Sequence, residues 1–262
     1  MHASVRNDIG PKAPESFAED VRRAGERRQF GLLGLLGVEA RSYGWMADGL
    51  RLVAESLDGL SDAKRFGWDH AILFTGHMID APDRKHPRFP ASCEGRAREA
   101  MAKTLRELKR VHTVRTVGIA GGASGGDLLF HEECASLGIE TLLRLTLPQE
   151  KFIETSVAPA GEAWVKRFHA LVERLGKSNV EVLGDSLELP AWMGERMDYD
   201  VWQRTNLWLM QEAIARAPAR SLLALWDGEA GDGPGGTQHL VEAALRYGTV
   251  VAPIIRTQDL ID

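Results

Sequence analysis

Residues 116–138 read TVGIAGGASGGDLLFHEECASLG, and the order of residue types here decides what kind of fold the chain can make. Thr116-Val117-Gly118-Ile119-Ala120 is an apolar run with the length of a buried strand. Four glycines fall in the next six residues, and Asp127 then opens a run with helical spacing. Leu128, Leu129, Glu132, Glu133 and Ala135 suit that helix, and Gly138 is placed to end it. A strand, a glycine-rich turn and a helix N-terminus, in that order, predict an anion pocket. Backbone N–H groups point outward, the helix dipole adds about half a positive charge, and glycine permits close approach of a phosphate. The stretch names a ligand type and not a reaction.

The same alternation continues on both sides of it. Upstream, Ala71-Ile72-Leu73-Phe74 reads as a strand running into the turn Thr75-Gly76-His77. The loop MIDAPDRKHPRFP follows, with Pro82, Pro87 and Pro90, and then a helix over 94–109 with Ala97, Ala100, Met101, Leu105 and Leu108 on one face. Downstream come a strand over 142–147, an irregular or short helical insert (QEKFIETSVAPAG), and an amphipathic helix from Trp164 to Leu175. A short strand over 180–183 and a long helix over 199–217 are next, then a strand over 221–226 that enters DGEAGDGPGGT. A helix over 238–247 and a strand over 250–255 complete the pattern. Strands that are apolar throughout, alternating with helices, predict an α/β fold: a Rossmann-like, mostly parallel sheet covered by helices on both faces. Right-handed crossovers then bring Thr75-Gly76-His77, GGASGGD and DGEAGDGPGGT to one rim, at the carboxyl ends of the strands where ligands bind.

Composition narrows the function classes. The chain has 262 residues, is 44% hydrophobic and 26% charged, and carries a net charge of −5, which argues against a broad nucleic-acid or acidic-membrane surface. Cys93 and Cys134 have no metal-ligand spacing and read as reduced thiols of a cytoplasmic protein, so no metal is expected. No apolar run reaches membrane-spanning length. The run FGLLGLLGV after Arg22, Arg23, Arg27 and Arg28 is broken by glycine and preceded by acidic residues, so targeting is not expected.

Three regions follow: a mobile arm over 1–15, a helical appendage over 16–66 and a Rossmann-like nucleotide-binding domain over 67–262. Within the appendage, Leu32, Leu33, Leu35 and Leu36 need cover. Internal packing supplies it in one reading; in the other, residues 16–60 are a homo-oligomer or partner face.

Four motifs in order, LFTGHMIDAPDRKHPRFP, GGASGGDLLFHE, LPQEKFIETSV and LWDGEAGDGPGGT, carry a resemblance over residues 68–255. The chain resembles the SLOG superfamily, which joins DprA/Smf DNA-processing proteins to the LOG phosphoribohydrolases, in a branch often fused to cyclase or TPR signalling proteins. Nucleoside 2-deoxyribosyltransferases look like more distant relatives. The resemblance implies a nucleotide-binding Rossmann-like fold; no cofactor is expected. In LOG enzymes a PGGxGTxxE turn supplies a glutamate that works in N-glycosidic cleavage. Aligned on Pro234-Gly235-Gly236, Glu242 falls at that glutamate, while Gln238 and His239 replace the pattern's third glycine and threonine.

Each candidate residue has a structural and a functional reading. Gly121, Gly122, Gly125 and Gly126 make a tight turn or a phosphate cradle, with Ser124 as an added donor. Asp127 is a helix cap or a ribose-hydroxyl acceptor. Gly76 and His77 end a strand or contact ligand, and Asp80, Asp83, Arg84 and Arg88 sit in the following loop, the arginines as phosphate partners or solvated charges. Asp227 lies where deoxyribosyltransferase-like proteins hold the sugar. Gly235 and Gly236 precede Thr237, an N-cap or ligand contact. Asp198, Asp200 and Asn206 border the same rim, and Tyr199 and Trp202 are core residues or stack on a base.

The expected function is binding or sensing of a nucleotide or nucleotide-derived ligand: NAD-derived, ADP-ribose-like or a nucleoside phosphate. The alternative is an N-glycosidase, phosphoribohydrolase or deoxyribosyltransferase-like enzyme, with Glu242, Asp127 and Asp227 as candidate catalytic carboxylates. A DprA-like single-strand DNA binder ranks third, since it needs clustered Lys and Arg.

Overall fold

The computed structural model describes residues 11–58, 67–81, 84–112, 114–194, 199–231 and 233–261. Most of the arm expected over 1–15, the end of the appendage, and the candidates Asp83 and Asp198 lie outside the described residues.

The fold is α/β, and its sheet is parallel throughout. Strands β1 (His70–Gly76), β2 (Thr116–Ala120), β3 (Glu140–Leu145), β4 (Val180–Val182), β5 (Ala219–Leu225) and β6 (Val250–Val251) lie in the order β4-β3-β2-β1-β5-β6. Successive strands step outward from β1 to β4, and the chain then returns to the other side of β1 for β5 and β6. The order therefore reverses between β1 and β5, the point at which open parallel sheets leave a crevice.

Helices α4 (Glu94–Val111), α5 (Gly126–Ser136), α6 (Gln149–Ser156) and α7 (Glu162–Leu175) cover one face. There Ile72, Phe74 and Leu143 pack on Met101, Phe130 and Phe168, among others. Helices α8 (Val201–Arg216) and α9 (Thr237–Arg246) cover the other, where Leu73, Ile119 and Leu222 meet Leu209, Met210 and Leu240. Both faces are apolar because β-strand side chains alternate between them, which is why these strands show no polar alternation.

Most expected boundaries move by a residue or two, and the third and last strands change most in their C-terminal ends. The third strand starts two residues early, at Glu140, and stops at Leu145 instead of Leu147. The last strand shrinks to Val250–Val251 because Pro253 has no N–H to give the ladder. Beyond it, Ile255 rejoins the sheet in an isolated bridge to Leu225.

Helices α1 (Glu15–Glu26), α2 (Phe30–Ala40) and α3 (Met46–Asp58) form a further layer outside α8. Its core holds Phe17, Val21, Leu33, Leu36 and Trp45, and Trp192 joins from the segment before α8. Leu33, Leu35 and Leu36 are fully buried, so the cover they need comes from this chain itself. Gly31 and Gly34 let α2 lie directly on Glu212 and Gln211 of α8. Two buried ion pairs cross the layers: Glu39 of α2 with Arg204 of α8, 2.8 Å, and Arg144 of β3 with Glu212 of α8, 2.9 Å. No helix among the described residues is long and apolar enough to cross a membrane.

Candidate functional site

Because β1, β2 and β5 run parallel and adjacent, their three following turns are forced to one edge. They enclose a cavity of about 470 Å³ at the β1/β5 reversal. Gly76, His77, Asp80 and Arg84 line it from the β1 side, Gly121, Ala123 and Asp127 from β2, and Gly235, Gly236 and Thr237 from the β5 loop. Helix α8 supplies Trp202, Thr205 and Asn206.

The glycine turn contributes little to the cavity wall. Of its four glycines, only Gly121 lines the cavity. A Cβ on Gly122 would meet Leu143 and Phe168, so that glycine permits packing of the β2 exit on the core. Gly125 has φ +96°, and a Cβ there would run into the backbone of His77, Met78 and Ile79. Gly126 stacks on Gly76 in the same way. Gly125 and Gly126 bring two strand exits into contact. Ser124 is fully buried, outside the cavity wall.

Three of the turn's backbone donors are engaged within the protein. Ser124 N–H donates to Ser156 O at 2.9 Å, Gly126 N–H to His77 O at 3.0 Å, and Ala123 N–H to Asp127 Oδ2 at 3.1 Å. Asp127, in the first turn of α5, thus stands where an anion would complement the helix dipole. Burial pushes its carboxyl up to about 7, against the Ala123 N–H, which favours the ionised form. His131, one turn further, holds the turn from beneath. Its Nε2 lies 2.9 Å from Gly121 O and its Nδ1 2.9 Å from the Thr141 hydroxyl. A carbonyl only accepts, so Nε2 carries the proton and Nδ1 accepts from Thr141. Burial pushes this imidazole down to about 4, consistent with a neutral ring.

The acidic side of the β5 loop is locked. Arg88 grips Asp227 with Nε–Oδ2 of 2.6 Å and Nη2–Oδ1 of 3.0 Å, and His77 Nε2 lies 3.0 Å from Asp227 Oδ1. Burial raises the Asp227 carboxyl, but Arg88, the Glu229 N–H and His77 hold it well below the usual carboxylate range. Burial depresses His77, which keeps it neutral near pH 7. Asp227 lies outside the cavity wall, whereas Arg88 is on it and is held there by its contact with Asp227. Asp80 accepts from the N–H groups of Arg88 and Phe89, both at 2.8 Å, and faces Arg84 Nε at 3.4 Å. It shapes its own loop.

The PGGT turn is pinned to α8. Asn206 Nδ2 donates to Gly235 O at 2.8 Å and reaches Gly236 O at 3.3 Å. Gly235 packs so closely on Trp202 that a Cβ would overlap it. Gly236, not Thr237, is the N-cap of α9, and Thr237 is its buried first residue, lining the cavity. Glu242 accepts from Gln238 Nε2 at 2.8 Å on the exposed face of α9, outside the cavity wall. The register that singled it out as catalytic therefore does not bring it to the cavity. Asp200 is the N-cap of α8, with Gln203 completing a capping box, and Tyr199 donates to Glu39 in the outer layer. Trp202 alone of the two aromatic candidates lines the cavity.

Sequence reasoning missed Thr146, Thr205, Trp226 and Arg144 as lining residues and His131 as the prop of the turn. Thr146 and Trp226 directly follow β3 and β5, so the strand-end rule points to them. Thr205 and Arg144 meet the cavity only through the packing of α8 on β3, which leaves no local signal. No protein-family model and no curated protein sequence matches this chain. Among the described residues no cluster of His, Cys, Asp and Glu has metal-holding geometry.

Proposed function

We propose that the chain binds a nucleotide-derived small molecule in the cavity between the β1, β2 and β5 turns. The observation that carries this reading is the convergence of the three turns at the strand-order reversal, around a cavity of about 470 Å³. Trp202 and Trp226 offer aromatic faces for a base, and Thr146, Thr205 and Thr237 offer hydroxyls for a sugar. The likeness of the four motifs to the SLOG branch supports the same ligand class and a sensing role. Calorimetry and thermal-shift titration with nucleosides, nucleotides, NAD and ADP-ribose test it. Stabilisation by at least one member is expected; a flat response across the panel rejects it.

Asp127 favours a second, enzymatic reading. A carboxyl held near 7 by burial, at the wall of a cavity, exchanges a proton at neutral pH. In an N-glycosidic cleavage it would protonate the leaving base or stabilise the positive charge that develops on the sugar. Chromatographic assay of base release from nucleosides and nucleoside monophosphates tests this. Turnover that Asp127→Asn abolishes and Glu242→Gln leaves unchanged is expected; the reverse pattern would return the role to Glu242.

A further inference from the structure

The turn after β2 has the outline of a phosphate cradle but not its chemistry. Three of its N–H groups donate inside the protein, to Asp127 Oδ2, Ser156 O and His77 O. A carboxylate, a like charge to phosphate, borders the only glycine of the turn that lines the cavity: a Cβ on Gly121 would sit 2.6 Å from Asp127 Oδ2. The arginines of the wall also face acids of their own. Arg88 is bidentate to Asp227, Arg84 faces Asp80, and fully buried Arg144 pairs with Glu212 at 2.9 Å and Glu181 at 3.2 Å. A phosphate placed at this turn would meet a carboxylate, and among the described residues every arginine of the wall already faces an acid.

Asp127 itself is half-satisfied. Oδ2 accepts from Ala123 N–H, while Oδ1 has no hydrogen-bond partner among the described residues. An acceptor of this kind at a cavity wall suits a hydroxyl donor. A ribose diol supplies two, and hydrogen bonds to an ionised acceptor are about twice as strong as neutral ones.

We infer that the GGASGGD turn is a sugar-hydroxyl subsite and not an anion subsite, with Asp127 as its acceptor. The ligand class is therefore a nucleoside or similar uncharged glycoside, whose phosphate, when it carries one, lies away from α5. This rests on the nucleotide-derived reading above and narrows it.

Calorimetry on the full chain at pH 8 tests the inference, with adenosine, guanosine, cytidine and uridine, their 5′-mono- and 5′-diphosphates, and their 2′,3′-dideoxy forms. At least one nucleoside is expected to bind as tightly as its 5′-diphosphate. Removing its two hydroxyls is expected to weaken binding about tenfold or more, and Asp127→Asn to weaken the parent nucleoside similarly. If the phosphates bind tenfold tighter than the nucleosides and Asp127→Asn tightens them further, the sugar subsite is wrong and nucleotide binding stands. Equal binding of dideoxy and parent nucleosides by the wild-type protein also overturns it, whether or not the variant folds. Silence across every probe rejects the nucleotide-derived reading and this inference with it.

Discussion

Arg88, in the loop after β1, clamps Asp227, just past the end of β5, through two hydrogen bonds of 2.6 and 3.0 Å. The pair joins the two strands between which the sheet order reverses. It keeps the crevice mouth in one shape, because both side chains are largely shielded from water, with exposures of 14% and 6%. Removing the cation by Arg88→Met strands a buried carboxylate, and a loss of about 3–5 kcal/mol in urea unfolding at pH 7 is expected. Asp227 is held below its ordinary value, so its contribution is present above the unfolded carboxyl value and lost as pH falls. The gap between wild type and variant should therefore hold down to about pH 4 and narrow as pH is lowered below 3.8.

The Arg144–Glu212 pair has both side chains fully buried between β3 and α8. Burial raises the Glu212 carboxyl, but Arg144 and Arg216 together hold it below its ordinary value. Glu212→Ala leaves Arg144 with two backbone carbonyls and the partly exposed Glu181, and is expected to cost about 3–5 kcal/mol. The double variant Arg144→Met/Glu212→Leu should regain most of that. If it unfolds as easily as the single variant, the pair is worth more than its desolvation cost.

His70 and His131 are both pushed down to about 4 by burial, His70 with help from the stacked His112 ring. The unfolded chain binds protons near 6.5 and the folded one does not until about 4, so stability is lost as pH falls across that window. Urea midpoints measured from pH 7 to pH 4.5 should decline steadily. His70→Asn, which keeps a polar group near Ser221, should decline less steeply.

Asp127 has the opposite sign. Its folded carboxyl ionises near 7 and its unfolded one near 3.8, so the folded state holds the extra proton between them. Stability attributable to this group falls as pH rises from about 4 to 7, at about 1.4 kcal/mol per unit of displacement between the two states. Asp127→Asn should gain on the wild type over that range and run parallel to it above pH 8. A constant difference from pH 4 to pH 8 would mean the carboxyl titrates normally.

Gly125 and Gly121 should separate fold from site. Gly125→Ala places a Cβ at φ +96° against the backbone of Ile79 and is expected to lower stability by about 1–3 kcal/mol or more. Gly121→Ala pushes on Asp127 Oδ2 at the cavity wall, so ligand affinity should fall with a smaller change in melting temperature.

Much of the architecture was legible in the sequence because it is written in local patterns. Apolar runs such as Ala71–Phe74 and Thr116–Ala120 announce two-sided burial, helical spacing announces the covering layers, and together they require a parallel sheet with its turns on one rim. That logic brought GGASGGD, Thr75-Gly76-His77 and PGGT to one cavity. The resemblance to LOG enzymes pointed to Glu242 by register, yet register along a helix says nothing about which face meets the crevice. The packing of α9 on Leu240 and Val241 turns Glu242 to solvent.

What each polar group does at the rim was decided only by tertiary structure. Glycine permits close approach without saying what approaches, and here Leu143, Phe168 and the His77–Ile79 backbone take three of the places a phosphate was expected to use. Likewise, charge in a sequence has no address. Arg88 and Asp227 lie 139 residues apart, and their neutralising contact exists only once β1 and β5 are neighbours. The sequence determined a sheet, its rim and a cavity. Long-range packing and burial decided that Asp127, and neither Glu242 nor Asp227, stands at the cavity wall.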